Sequence, residues 1–355
     1  MRVVTDVEIG SPVRCVRFDA SGRYLAVLPA STNNVAVFEL DGTMLRPRGC
    51  LPTAISVDVP IATLAFHPRD PIVALASQDR LLGLWDVARA TAVAALGELQ
   101  QAHPARERGY WGVSFSADGK FVESHSMERG LGERFDWSTG QRTSTRFGPG
   151  GPIALHSEGR ILAVCSVAEM ATTTWFAEWL ASGVRWYSAE LVCWFPATRV
   201  VFGPGAVAFI GGSGATAVQV HDFPSCDVRF VVDLDPNPGD VEFPWGVSEA
   251  LAFTPGGERI FAPSASGEVL ALDASTGARL AAWQAHASLV TTLDVHPHAP
   301  LVVSGGADGA VALAHEPGLA WTRRATPGEQ DAFIARFAPL PGDEPNRGPC
   351  TVIEP

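Results

Sequence analysis

Leu81-Leu82-Gly83-Leu84-Trp85-Asp86-Val87 is the stretch on which the reading of this chain turns. Asp79 precedes Asp86 by seven residues, in the tight turn Gln78-Asp79-Arg80. Twenty residues before Asp86, Phe66 closes an apolar run that breaks at His67-Pro68-Arg69-Asp70-Pro71. Apolar runs bounded by turn residues predict strand, turn, strand, hairpin, strand, which is one small antiparallel sheet.

The pattern recurs. An aromatic or apolar residue followed by an acid stands at Phe38-Glu39, Trp85-Asp86, Phe135-Asp136, Ala177-Glu178, His221-Asp222 and Leu272-Asp273, at spacings of 47, 50, 42, 44 and 51. Ala314-His315-Glu316 is a degenerate seventh copy with His315 in the acid slot. A second marker keeps step: apolar runs end in turns after Phe18, Phe66, Phe115, Leu155, Phe202, Phe253 and Val295. The first six precede their acid by 21, 20, 21, 23, 20 and 20 residues. Two markers in fixed phase at this period predict a ring of four-stranded blades.

Over roughly residues 11–316 the chain resembles the WD-repeat family of β-propellers. Ser77, Asp79 and Trp85 fall at that family's places for a hydrogen-bonded network within a blade. His286, Ser304 and Asp308 match it again, with Ala314 where the tryptophan would stand, and no blade has the whole set of four. The resemblance implies an all-β fold, a seven-bladed β-propeller of four-stranded antiparallel blades. Stacking the blades in a ring buries both faces of every sheet and leaves no end blade exposed. It also implies a lock built from both chain ends, with Val3–Ile9 as outer strand beside Leu301–Val303 and Val311–Leu313. Residues 1–355 are then one propeller domain, with 1–9 as closing strand and 317–355 as a C-terminal extension. That extension has two readings. Leu319–Thr322 and Ala332–Pro339 supply outer and inner strands of a partial eighth blade, or the tail folds across one face.

Composition excludes several classes. With 46% hydrophobic and 18% charged residues the chain can bury a large core and is not disordered. A net charge of −12 repels a phosphate backbone, so no nucleic-acid partner is expected. The basic clusters Arg46/Arg48, Arg106/Arg108 and Arg323/Arg324 are pairs, read as solvated surface. No apolar run follows Met1 as in a signal peptide, and the longest apolar runs are broken by turns, so no membrane span is expected. Six cysteines without a CxxC pair predict free thiols and a cytoplasmic protein. Lys120 is the one lysine among 26 basic residues, a codon-usage sign of a GC-rich bacterial genome.

Candidate chemistry is thin. His67, His156, His296 and His298 lie at inner-strand ends, where metal-binding propeller enzymes carry channel histidines. Three of them, however, stand in the turn slot that elsewhere holds Asp19, Ser116, Gly203 and Thr254, so a turn role is expected. His296-Pro297-His298 is a ligand spacing by letter only. His286, Ser304 and Asp308 are explained by the blade network, and no GxSxG elbow raises a nucleophile. Gly203-Pro204-Gly205 and Gly211-Gly212-Ser213-Gly214 flank a strand and not a helix start, so they are turns and not phosphate cradles. Trp175, Trp179, Trp186 and Trp194 follow one outer hairpin and are read as packing between blades. No catalytic residue, metal site or cofactor is expected.

What remains is surface. In the family resembled, loops joining an outer strand to the next inner strand line the face where partners usually dock. Two such loops stand out: Gln100–Trp111, with Arg106, Glu107, Arg108, Tyr110 and Trp111, and Asp233–Trp245, with Asp240, Glu242, Phe243 and Trp245. Aromatics and arginines are the usual interface hot spots, so Arg106, Arg108, Tyr110, Trp111, Asp240, Glu242, Phe243 and Trp245 are the candidate partner-binding residues. The expected function is a non-catalytic protein-interaction scaffold, presenting inter-blade loops to protein partners as a subunit of an assembly. The alternatives are a metal-dependent lactonase or hydrolase acting at the central channel, and a sensor or cap whose tail swaps into a partner.

Overall fold

The computed structural model describes residues 2–51, 53, 61–77, 81–97, 112–126, 131–146, 151–167, 171–180, 183–211, 217–234, 250–264, 266–316 and 328–340. The chain enters on β1 (Arg2–Glu8), which has no partner among the strands that follow it directly. Blade 1 is β2 (Val13–Phe18), β3 (Tyr24–Pro29), β4 (Ala36–Asp41) and β5 (Met44–Cys50). Blade 2 is β6 (Ile61–Phe66), β7 (Ile72–Ser77), β8 (Leu82–Asp86) and β9 (Thr91–Leu96). Blade 3 is β10 (Gly112–Phe115), β11 (Phe121–Ser126), β12 (Leu131–Asp136) and β13 (Arg142–Arg146). Blade 4, the tallest, is β14 (Ile153–Leu155), β15 (Ile161–Val167), β16 (Thr172–Leu180) and β17 (Gly183–Cys193). Blade 5 is β18 (Ala197–Gly203), β19 (Ala206–Gly211), β20 (Ala217–Asp222) and β21 (Val228–Asp233). Blade 6 is β22 (Ala252–Phe253), β23 (Arg259–Pro263), β24 (Glu268–Asp273) and β25 (Arg279–Gln284). Blade 7 is β26 (Val290–Val295), β27 (Leu301–Gly306) and β28 (Ala310–His315), with β1 as its outer strand. Each sheet is an antiparallel meander in chain order, apart from blade 7, where the chain's first strand completes its last sheet.

The lock joins the two ends of the ring. β1 runs antiparallel to β28, from Arg2 opposite His315 to Glu8 opposite Ala310, with an irregularity between Val3 and Thr5. Blade 1 then docks on blade 7 through backbone donors: Val16 N–H reaches Thr292 Oγ1 at 3.2 Å and Phe18 N–H reaches Asp294 Oδ2 at 2.7 Å.

The strand pattern shows why seven blades need one another. β3, β19 and β27 are buried at every residue, because second strands are covered on both faces by neighbouring blades. Fourth strands such as β9 and β21 are mostly exposed or half-buried. Apolar clusters accordingly sit between blades. Cys15, Leu28 and Val37 meet Ile61, Leu75 and Trp85 across the first seam, and Ala208 and Val220 meet Ile260 and Leu270 across the fifth. Among the described cysteines Cys50, Cys165, Cys193 and Cys226 are free thiols, and burial pushes the Cys165, Cys193 and Cys226 thiols up to about 12. Cys350 lies outside the described residues.

One seam differs. Blade 4 offers blade 3 an apolar face of Leu162, Val164, Ala177, Trp179 and Trp186. Blade 3 answers with Glu123 and Arg134, which are cross-strand partners on β11 and β12. Glu123 is buried, its carboxylate accepts no hydrogen bond, and Arg134 Nε lies 3.5 Å away. The Arg134 guanidinium lies over the Phe121 ring at 3.9 Å and approaches Trp179 at 5.9 Å. Burial, only partly offset by Arg134, lifts the Glu123 carboxyl to about 7. A carboxyl raised on folding stabilises the fold below its unfolded pKa of 4.5 and loses that contribution as pH rises through about 7. Glu123→Gln is therefore expected to stabilise the protein by about 2 kcal/mol at pH 8, with the gain vanishing by about pH 5. Urea unfolding at both pH values checks this, and a pH-independent difference would contradict it.

The C-terminal extension corrects the eighth-blade reading. Glu329–Arg336 is an α-helix, α1, so Ala332–Pro339 does not form an inner strand; Leu319–Thr322 lies outside the described residues. The local reasons are Glu329 and Asp331 in the first turn and Arg336 in the last, which complement the helix dipole. Phe333 and Phe337, four apart, share one face, with ring centroids 4.9 Å from each other. Residues 328–340 pack at the rim of blades 4 and 5, and the rest of the extension lies outside the described residues. No helix among the described residues is long and apolar enough to cross a membrane.

Candidate interaction face

An antiparallel meander puts its first and third turns at one end and its second turn and the link to the next blade at the other. The propeller thus has a turn face and a link face, and the two are built differently.

Away from blade 4, the described turns are satisfied within the ring. His67 accepts the Arg69 and Asp70 N–H groups on Nδ1 (3.3 and 2.9 Å), so its Nε2 carries the proton and donates to Gly119 O of blade 3 at 3.1 Å. His296 repeats this with His298 N and Ala299 N (3.0 and 2.8 Å) and donates to Gly22 O of blade 1 at 3.1 Å. Each ring also meets the last aromatic of the next inner strand edge-on, His67 on Phe115 and His296 on Phe18. The receiving turns need glycine: Gly22 and Gly119 hold φ of +73°, and a Cβ on either would collide with the histidine ring. The turn histidines expected from sequence are thus latches between blades, a role their sequence slot does not reveal. Burial holds His67 and His296 below the usual histidine range, so both stay neutral. On the outer hairpins Asp273 accepts Ser275 and Thr276 donors, which bring it to about 2, and Ser138 and Thr139 donors hold Asp136 below the usual carboxylate range.

On the link side, the network expected in blade 7 is present. His286 reaches Ser304 Oγ through Nε2 at 2.8 Å and Asp308 Oδ1 through Nδ1 at 3.1 Å, and Asp308 Oδ2 accepts Ala287 N–H at 2.8 Å. In blade 2, Ser77 Oγ donates to Leu81 O at 3.0 Å and Trp85 is buried in the seam with blade 1, while Asp79 lies outside the described residues.

The candidate partner-binding residues Arg106, Arg108, Tyr110, Trp111, Asp240, Glu242, Phe243 and Trp245 all lie outside the described residues. In the sequence they stand between β9, which ends at Leu96, and β10, which begins at Gly112, and between β21, which ends at Asp233, and β22, which begins at Ala252. Of the basic pairs, Arg46 meets Asp41 at 2.6 Å and Arg48 meets Glu39 at 3.5 Å, as solvated surface pairs do; Arg323 and Arg324 are outside the described residues.

The link between blades 4 and 5 supplies a residue that sequence reasoning misplaced. Trp179 and Trp186 are buried in the seam facing blade 3, as expected. Trp194 is not packing at all: it is 71% exposed. Along β17, Leu191 and Cys193 point into the cluster shared with blade 5, and the alternation leaves Val192 and Trp194 outside. The backbone beneath Trp194 is held firmly. Trp194 N–H donates to Gln219 Oε1 at 3.2 Å, and Gln219 Nε2 donates to Val192 O and to His221 Nε2, both at 2.8 Å. Thr172 Oγ1 donates to Phe195 O at 3.0 Å and accepts Ala197 N–H at 2.7 Å. A rigid link thus presents an indole to solvent. Alternation alone does not show this, because Trp194 has the parity of buried Trp186; its place after Cys193 and before Phe195-Pro196, at the end of the strand, is the one signal.

A cavity of about 450 Å³ opens at the ring's centre, between inner strands of blades 1 to 5. Arg17, Thr63, His125, Thr198 and Arg199 are among its polar lining groups. Burial presses His125 down to about 4. Among the described residues no three His, Cys, Asp or Glu side chains are grouped to hold a metal ion.

Seven four-stranded blades in a ring make this a seven-bladed β-propeller. A family model described as "WD domain, G-beta repeat" matches residues 277–313, the span that carries His286, Ser304 and Asp308. The match spans one repeat, and with the ring around it supports a likeness to the WD-repeat family of β-propellers. Propellers of this family commonly mediate protein interactions and are typically not enzymes. No curated protein matches the chain.

Proposed function

We propose that the protein is a non-catalytic interaction platform whose link face receives a protein partner. The observation that carries this reading is Trp194, an aromatic side chain exposed on a backbone already pinned by Gln219 and Thr172. Interface hot spots are enriched in tryptophan, and a contact residue that is ordered beforehand loses little entropy on binding. In sequence, two long segments also join an outer strand to the next inner one, after β9 and after β21. Arg106, Arg108, Tyr110 and Trp111 in the first, and Asp240, Glu242, Phe243 and Trp245 in the second, are the residue types that interface centres and rims favour.

Replacing Trp194 by alanine is expected to weaken capture of a native partner by about 2 kcal/mol or more, roughly thirtyfold, with the melting temperature unchanged. Trp111→Ala and Trp245→Ala are expected to act in the same direction. Affinity capture beside a thermal melt checks all three. A Trp194→Ala protein that captures normally would remove the residue from the interface.

A further inference from the structure

We propose that the rim between blades 4 and 5, on the turn face, is a binding site for a short helix of pattern Glu-Gln-x-x-Phe, occupied in cis by residues 328–340. This is independent of the link face and of any partner there.

The blade 4 turn is built to be completed from outside. In blades 1, 3 and 6 the residue in the turn slot accepts the N–H five positions on: Asp19 takes Tyr24, Ser116 takes Phe121 and Thr254 takes Arg259. Where histidine fills the slot, blades 2 and 7 send that N–H to a carbonyl of their own turn, Ile72 to Asp70 O and Leu301 to Ala299 O. In blade 4 the slot is His156, and Ile161 N–H goes to Gln330 Oε1 of the tail at 2.6 Å, joined there by Arg160 N–H at 2.9 Å. The same amide donates through Nε2 to Glu158 at 2.9 Å, and Glu158 also accepts Gly328 N–H at 2.9 Å. One glutamine thus accepts two backbone donors and answers one carboxylate, a set of contacts that an apolar side chain cannot make.

The latch to the next blade is open in the same way. His156 accepts Glu158 N–H on Nδ1 at 3.2 Å and presents Nε2–H towards blade 5, as His67 and His296 do to their neighbours. The carbonyl it would meet, Gly205 O, is already taken by Phe223 N–H at 3.0 Å and Arg229 Nη2 at 2.7 Å. Glu329 fills the gap, its Oε2 accepting from His156 Nε2 at 3.4 Å and from Gly205 N–H at 3.2 Å. Below it, fully buried Phe333 stacks on Phe223 at 5.2 Å and meets Phe176 and Tyr187 at 4.8 and 5.3 Å. Beyond the helix the tail runs along the outer edge of β17: Ser188 N–H donates to Ala338 O at 3.0 Å and Leu340 N–H to Trp186 O at 2.8 Å. Acid, amide, aromatic and added strand are each read by a separate part of blade 4 or 5. That is how a groove recognises a peptide, and the chain's own tail is the occupant.

The test uses the full chain with a protease sequence inserted between Glu316 and Gly328. After cutting, a fluorescent peptide of residues 328–340 is added and its anisotropy followed. We expect saturable uptake by the cut protein and none by the uncut one, where a tethered tail at about millimolar effective concentration excludes it. The cut protein keeps its cooperative melt. A Gln330→Met peptide binds at least about tenfold more weakly, since it leaves Arg160 and Ile161 N–H groups without acceptors. The inference is overturned if the peptide fails to enter, if it enters cut and uncut protein alike, or if the Gln330→Met peptide binds as well as the parent. It is overturned too if cutting abolishes the melt, which would make the tail part of the core.

Discussion

Deleting residues 2–8 is expected to leave a chain that aggregates and unfolds at much lower urea. Those residues are the outer strand of blade 7, paired along β28 from Ala310 to His315. Without them β28 becomes an unpaired edge whose residues Val311, Ala312, Leu313 and Ala314 are all buried in the intact ring. Val7 also packs against the cluster between blades 7 and 1, and Val3 against that between 6 and 7, so the deletion thins both seams beside the closure. The lost strand pairing and apolar burial are on the order of 5 kcal/mol. Light scattering and urea unfolding on the shortened chain give the result. A deletion that stays dispersed with an unchanged midpoint would show that β1 is an ornament and not a lock.

The second large effect concerns the network of blade 7. Asp308 holds His286 Nδ1 at 3.1 Å, Ala287 N–H at 2.8 Å and Ala310 N–H at 3.1 Å. Asp308→Ala leaves the buried imidazole and two backbone donors short of an acceptor, at about 3 kcal/mol in total. His286 is kept below the usual histidine range by burial, so it cannot recover the loss by charging at neutral pH. Asp41→Ala removes an exposed pair with Arg46 and is the matched control, expected within about 0.5 kcal/mol of the parent. Equal urea midpoints for the two variants would contradict a structural role for the network.

The parts of the fold that repeat were legible, because repetition is a property of sequence. Phe66 and Asp86 end β6 and β8, their counterparts stand at or near strand ends in the other blades, and the unpartnered Val3–Ile9 could go only to the blade that lacked a fourth strand. What does not repeat was harder to read. Ala332–Pro339 has the apolar content of an inner strand, and only its end charges and the Phe333–Phe337 spacing favour a helix. The latches were invisible for a different reason: Gly22 and Gly119 read as ordinary turn glycines until a histidine from the previous blade is found over each. Trp194 was grouped with its buried neighbours because it shares Trp186's side of β17 and is exposed only past the strand's last residue, Cys193.

The central claim, that partners meet the link face, is tested most directly by photo-crosslinking from both faces. A benzophenone amino acid placed at Trp194 samples the link face, and the same group at exposed Ser138, in an outer-hairpin turn, samples the turn face. The account predicts a crosslinked protein adduct from native cell extract at position 194 and none at 138. Adducts at 138 alone would place the partner on the opposite face and contradict it.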